Sequence, residues 1–336
     1  MRSVLILGAL VTSLAACSRP GGSPPSAQRG PETPRIAQRA PKPTPEAPSP
    51  AEGAIAPPPP EPVAAAPAKE PQAALPQRIE GMLLVPAGPF IMGADSGGEP
   101  DERPAHTVTL PAYYLDETEV TNEAYARCVD ANKGCAPPDP RNADRNGVGP
   151  DKLFRGPRQP VSSVSWDSAR TYCAFVGKRL PTEAELEKAA RGTEGRLYPW
   201  GKMAPGPERA VFHQSVTEDV GTHPKGDGPY GHHDLAGNVW EWAEDVYDPF
   251  AYQRPGAARG VGGTCEQALE AYAELRKKRR KGFTGSNAIP TECERVLRGG
   301  GFNYHATGLR STNRVHHPAR YRMVMSGFRC AKDGGG

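Results

Sequence analysis

Long apolar runs are scarce in this sequence, and the one near the amino terminus, Val4 to Leu14, is too short to span a bilayer as a helix. No Cys-x-x-Cys pair occurs anywhere, so the spacing of a structural zinc site is missing. No aromatic residue stands between Ser18 and Pro76, and chain of that kind cannot bury enough apolar surface to hold a core. Neither sign of charge is in excess: 41 Lys and Arg against 38 Asp and Glu give a formal net charge of +3, which argues neither for nucleic acid nor against it.

What is present begins with a leader pattern. Arg2, the apolar run and then "LAAC" have the order of a secretory signal, and the small residues before Cys17 resemble a lipobox. On this reading residues 1–17 are a lipoprotein signal, Cys17 carries lipid, and the chain is anchored to the membrane of a bacterial cell envelope. Ser18 is compatible with the outer membrane. An ordinary signal peptide cut near Ala16 is the other reading. Residues 18–77 hold 18 of the 39 prolines up to Pro76 and form a tether, whose roughly 60 residues reach about 180 Å at ~3.1 Å each in polyproline II.

The remaining residues, 78–336, read as one domain. If Cys17 is lipidated, six cysteines remain: Cys128, Cys135, Cys173, Cys265, Cys293 and Cys330. An even set in an oxidising compartment reads as three disulfides. "GMLLVPAGPFIMG" and "HTVTLPAYYLDETEVT" look like short strands broken by proline and glycine. "TNEAYARCVDAN" and "SWDSARTYCAFVG" read as helices, the second capped by Ser165 and stopped by Gly177. In "TEAELEKAARG" Thr182 and Glu185 have capping-box spacing and Gly192 ends the helix. "HHDLAGNVWEWAEDVYD" sets a question of its own, because two of only four tryptophans enclose Glu241, a residue that resists burial unless something pairs with it.

Nine blocks, "VPAGPFIMG", "ETEVTNEAY", "PVSSVSWDSARTYC", "KRLPTEAELEKAARG", "YPWG", "DLAGNVWEW", "RGGGF", "LRSTNR" and "GFRC", occur in the order seen in the formylglycine-generating enzyme (sulfatase-modifying factor) family. The resemblance covers about Ile79 to Asp333. It implies an α+β fold, a variant of the C-type lectin-like fold, rich in loops with short helices and strands. It also implies a calcium ion at Asp234, Gly237, Val239 and Glu241, two carboxylates and two backbone carbonyls forming a hard-oxygen cage. The alternative partner for Glu241 is an arginine such as Arg298 or Arg310. The family's second calcium position finds no matching asparagine between Lys202 and Pro224 and is not carried over.

Downstream the chain departs from the family. Members that make formylglycine hold copper(I) between two cysteines shortly after "RGGS", since soft thiolates suit that ion. Here Tyr304 stands at the first position, no cysteine lies near Gly308 or Leu309 at the second, and Gly301 replaces the serine. Copper and iron are therefore not supported. His316 and His317 would face opposite ways on a strand, and Tyr304 and His305 are the first residues to examine for residual chemistry. The resemblance pairs Cys173 with Cys330; proximity pairs Cys128 with Cys135, and Cys265 with Cys293.

That last pair bounds a segment, 265–293, that looks like an inserted helix and ends in the basic run Arg276 to Lys281. The run suits an anionic partner or a solvated helix end; no aromatics interleave it, so nucleic acid is not expected. The expectation is an envelope lipoprotein that binds a peptide, glycan or envelope protein and does not form formylglycine. The alternative is an oxygen-dependent metal oxidase or hydroxylase of the same family.

Overall fold

The structure, a computed structural model, describes residues 77–139, 153–260, 262–278 and 289–335. The signal (1–17), all but Gln77 of the tether, and Arg279 to Lys281 of the basic run lie outside the described residues. No helix among the described residues is long and apolar enough to cross a membrane.

Among the described residues, ten short strands fall into three small sheets. β1 (Arg78–Ile79), β2 (Met82–Val85), β5 (Tyr113–Asp116) and β10 (Ala331–Asp333) form an antiparallel sheet in the order β1-β2-β5-β10, which puts the first and last strands at opposite edges of one sheet. β3 (Gly88–Met92) and β4 (His106–Leu110) make a two-stranded sheet. Pro86 and Pro111 fall between strands, where proline ends a ladder for want of an N–H. The third sheet runs β8-β7-β6-β9, with β6 (Trp240–Val246), β7 (Glu294–Arg298), β8 (Val315–Pro318) and β9 (Ser326–Gly327); only the β6/β9 pairing is parallel.

The helices start where their caps dictate. Thr121 caps α1 (Asn122–Asp130) and Ser165 caps α2 (Trp166–Phe175), each accepting from a backbone N–H three residues on. Thr182 and Glu185 complete both bonds of the capping box on α3 (Glu183–Arg191), and Gly192 ends it at φ 63°. The insertion holds α4 (Cys265–Lys278). As expected for a loop-rich α+β domain, the elements are short and are joined by long irregular segments.

All nine residues of α3 are buried although five are charged. Each charge finds a partner: Glu183 meets Arg314, Glu185 meets Arg179, Glu187 meets Arg191 and Arg298, and the Lys188 ammonium donates to the carbonyls of Pro86 and Gly88 at 2.7 and 2.9 Å. Burial alone would raise the Glu183 carboxyl, but the Arg314 and Arg298 guanidiniums hold it below the usual carboxylate range. This polar helix is thus buried within the domain rather than a solvated face.

Disulfides fasten the frame. Cys173 of α2 joins Cys330 before β10, Cys128 joins Cys135, and Cys265 joins Cys293 across the insertion. The first two pairs are buried and the third is partly exposed.

Candidate functional site

β6 brings the two tryptophans and Glu241 into the core. Trp242 donates its indole N–H to the Val164 carbonyl at 3.2 Å, and Trp166 donates to Ala243 at 2.8 Å. Glu241 is 2% exposed, and both its oxygens accept from Arg329 at 2.7 Å. The arginine is neither of the two named from sequence. Arg298 stands opposite Glu241 in the β6/β7 register, but its guanidinium turns to Glu187 and lies 3.7 Å from Glu183. Arg310 is taken by Glu102. Arg329 wins because it follows β9, which pairs with β6 on its other edge.

Two further carboxylates surround this pair. Asp234 accepts the Gly221 N–H at 2.6 Å, and Glu119 accepts from the Val239 N–H at 3.2 Å and the Asn238 amide at 3.0 Å. Burial and the charges of Asp234 and Glu241 push the Glu119 carboxyl well above its ordinary value. The loop between them is unusual: Asp234, Gly237 and Asn238 have φ of 54°, 97° and 59°, and a Cβ at Gly237 would lie 2.7 Å from the Val211 carbonyl oxygen. Of these carboxylates only Glu241 bonds Arg329, and Glu119 and Asp234 act on that guanidinium through their charge. The donors are all oxygens, the type a hard divalent cation takes, but among the described residues the side chains do not converge as a metal group. Glu119 lies beside the residues that the resemblance assigns to calcium and was not named from sequence. Calcium, if bound, would supply neutralising charge; Arg329 supplies part of it now.

The copper position gives the opposite result. Tyr304 packs edge-on against Trp240, ring centroids 5.2 Å apart. A Cβ added at Gly308 would sit 2.7 Å from Cδ1 of that tyrosine and 3.5 Å from Trp240. The Tyr304 ring therefore fills space that a side chain at residue 308 would need. All six cysteines of the domain are in disulfides. These residues do not fit a two-thiolate copper site.

Tyr304 and Gly308 nevertheless border a real cleft of about 540 Å³. β6 and β7 contribute Trp240 and Leu297, β8 contributes Val315, His316 and His317, the loop before it contributes Arg310, Asn313 and Arg314, and Tyr272, Leu275, Ile289 and Pro290 of the insertion form a wall. Tyr272 hydrogen-bonds the Tyr247 carbonyl and Arg276 hydrogen-bonds that of Pro290, which tie the wall down. His316 stacks on Tyr247 at 3.8 Å and bonds Glu294 at 2.5 Å, while His317 stacks on Tyr321 at 5.7 Å. Burial, with His316 beside it, lowers the His317 imidazole pKa. His305 does not line the cleft; it is exposed, its ring 4.8 Å from that of His213. Among the described residues, no three His, Cys, Asp or Glu side chains form a metal cluster.

Comparison with known proteins bears on the family and the fold. A family model described as "Sulfatase-modifying factor enzyme 1-like domain" matches residues 67–334. Serine/threonine-protein kinase Pkn1 of Chlamydia trachomatis is 34% identical over 265 residues, 75% of this chain and 38% of that one, so the chain spans well under half of this relative. Formylglycine-generating enzyme of Streptomyces coelicolor is 33% identical, covering 57% of this chain and 80% of its own length. Inactive C-alpha-formylglycine-generating enzyme 2 of Mus musculus is also 33% identical, covering 62% and 82%. The solved structure of PvdO from Pseudomonas aeruginosa superposes with a TM-score of 0.58 at 24% identity, over 79% of this chain and 100% of that one, and shares its fold.

Proposed function

This chain belongs to the sulfatase-modifying factor family, and from that premise we propose that it is a binding member, held at the bacterial cell envelope by lipid on Cys17, that does not make formylglycine. The observation that carries the proposal is at the cleft, where Tyr304 lies against Trp240 and crowds Gly308. Without two thiolates there is no soft cage for copper(I), and overall similarity does not choose, since the active and the inactive relatives are equally identical to this chain. The cleft has the size and the largely apolar, aromatic lining of a ligand site. Its ligand is a peptide, glycan or envelope protein, reached through the proline-rich tether.

The second reading is an oxygen-dependent oxidase or hydroxylase. Tyr304, His316 and His317 border one cleft, which favours it; the commitment of His316 to Glu294 does not. Metal analysis of the purified chain tests the choice. Binding without redox chemistry expects no stoichiometric copper or iron, and either metal at one per chain would overturn it.

A further inference from the structure

His213 and His305 stand side by side at the surface and outside the cleft, with ring centroids 4.8 Å apart. The backbone puts them there. The His213 N–H donates to the Tyr304 carbonyl at 3.2 Å and the Gln214 N–H to that of Phe302 at 2.7 Å, so the loop carrying one histidine runs along the segment carrying the other. His213 takes a φ of 52°, and Phe212 packs beside its ring at 5.4 Å. His305 opens the short helical turn Ala306–Leu309, where its carbonyl accepts from the Gly308 N–H at 2.9 Å.

Both rings are exposed, and neither has a hydrogen-bond or ion-pair partner among the described residues. That sets them apart from His223, His233 and His316, which bond Glu218, Asp227 and Glu294. A neutral imidazole keeps a lone pair on one nitrogen and is the commonest metal ligand among side chains. With zinc about 2.1 Å from an imidazole nitrogen and the ring centre about 1.2 Å beyond it, two rings on one ion stand about 4.6 Å apart at a right angle and about 5.3 Å apart at the tetrahedral angle. The observed separation falls between these values. The two rings are tilted by 65°, and turning a nitrogen of each to one ion takes rotation about χ2, a broad torsion in histidine.

We propose that His213 and His305 form a two-histidine surface site for a zinc ion. Imidazole nitrogen suits zinc, whereas magnesium and calcium prefer oxygen. Two side chains fill half of a tetrahedral shell and water fills the rest, so the ion exchanges with solvent, unlike a structural zinc closed by four protein ligands. The site uses neither Tyr304 nor Gly308, nor the carboxylates around Glu241.

The test is isothermal titration of the full chain, untagged and stripped of metal, with zinc chloride in the presence and absence of magnesium chloride. Zinc should bind at one ion per chain, and magnesium should not displace it. His213→Ala and His305→Ala should each weaken zinc at least about tenfold, no less than the loss of an outer-shell partner does, and together they should abolish the step. Because both side chains are exposed, the unfolding midpoint in chelator should hold for every variant. In a second measurement, zinc should protect both histidines of the unaltered chain from diethyl pyrocarbonate, read by peptide mapping. Zinc that binds the double variant as tightly, that leaves His213 and His305 open to modification, or that does not bind would overturn the proposal. Half an ion per chain with a dimer in sedimentation would place the ion between two copies and also contradict it. Copper and iron content is measured on the double variant as well, so that metal held by this pair is not counted against the binding reading.

Discussion

Arg329 meets both carboxylate oxygens of Glu241 at 2.7 Å, and neither side chain is more than 3% exposed. Removing one partner leaves an uncompensated buried charge. Arg329→Leu should cost about 3–5 kcal/mol of stability in denaturant unfolding. The double variant Arg329→Leu with Glu241→Leu should recover part of that loss. A single variant within 1 kcal/mol of wild type would show that the pair is not what permits Glu241 to be buried.

Calcium at Asp234, Gly237, Val239 and Glu241 remains a proposal, now with Glu119 beside them. An ion that binds only the native state should stabilise it by about 2.7 kcal/mol at a hundredfold excess over its dissociation constant. Asp234→Asn tests this better than a change at Glu241, because it spares the Arg329 pair. The variant should lose the response to calcium. A melting curve indifferent to chelator, in a sample confirmed metal-free afterwards, would sink the proposal.

Asp245 gives a pH signature. It accepts the backbone N–H of Glu183 at 2.6 Å, and burial, then the Glu183 charge, pushes its carboxyl up to about 7. A carboxyl raised in the native state binds its proton there first, so its contribution is complete below about pH 4 and is lost as pH rises to about 7. Asp245→Asn keeps an acceptor for Glu183 and removes the titration. Because solvent reaches part of the residue, the gain above pH 7 is discounted to about 1–2 kcal/mol. Unfolding midpoints of variant and wild type should diverge between pH 4 and 7, and parallel curves would contradict this.

The three disulfides should differ in access. Cys265–Cys293 is partly exposed, while Cys173–Cys330 and Cys128–Cys135 are buried. Limiting dithiothreitol followed by alkylation and peptide mapping should label Cys265 and Cys293 first, since exchange requires approach of a thiolate. Earlier labelling of Cys173 or Cys330 would contradict that order.

Caps, strand breaks and the short, loop-rich elements were legible in the sequence because they depend on neighbours along the chain: Thr182 with Glu185, Ser165 with Ser168, proline between strands. The partner of Glu241 was not, because Arg329 reaches it through a parallel pairing 88 residues away. Sequence spacing points to the neighbour across the hairpin, Arg298, and only the fold shows that Glu187 already holds it. The nearness of His213 to His305 and the α4 wall were equally hidden. The two rings meet only because the backbone at His213 and Gln214 bonds the carbonyls of Tyr304 and Phe302.

Catalysis tests most directly whether the residues around Tyr304 and Gly308, which offer no thiolate pair, can support formylglycine formation. The chain should be incubated with a peptide carrying the sulfatase motif Cys-x-Pro-x-Arg, oxygen, copper(I) and a thiol reductant, and the peptide then examined by mass spectrometry for aldehyde. With Tyr304 against Trp240 and no cysteine near Gly308, aldehyde should not exceed that from heat-inactivated protein, and added copper should not rescue it. Copper-dependent formylglycine above that background would contradict the binding role and make Tyr304 and His305 the first residues to mutate.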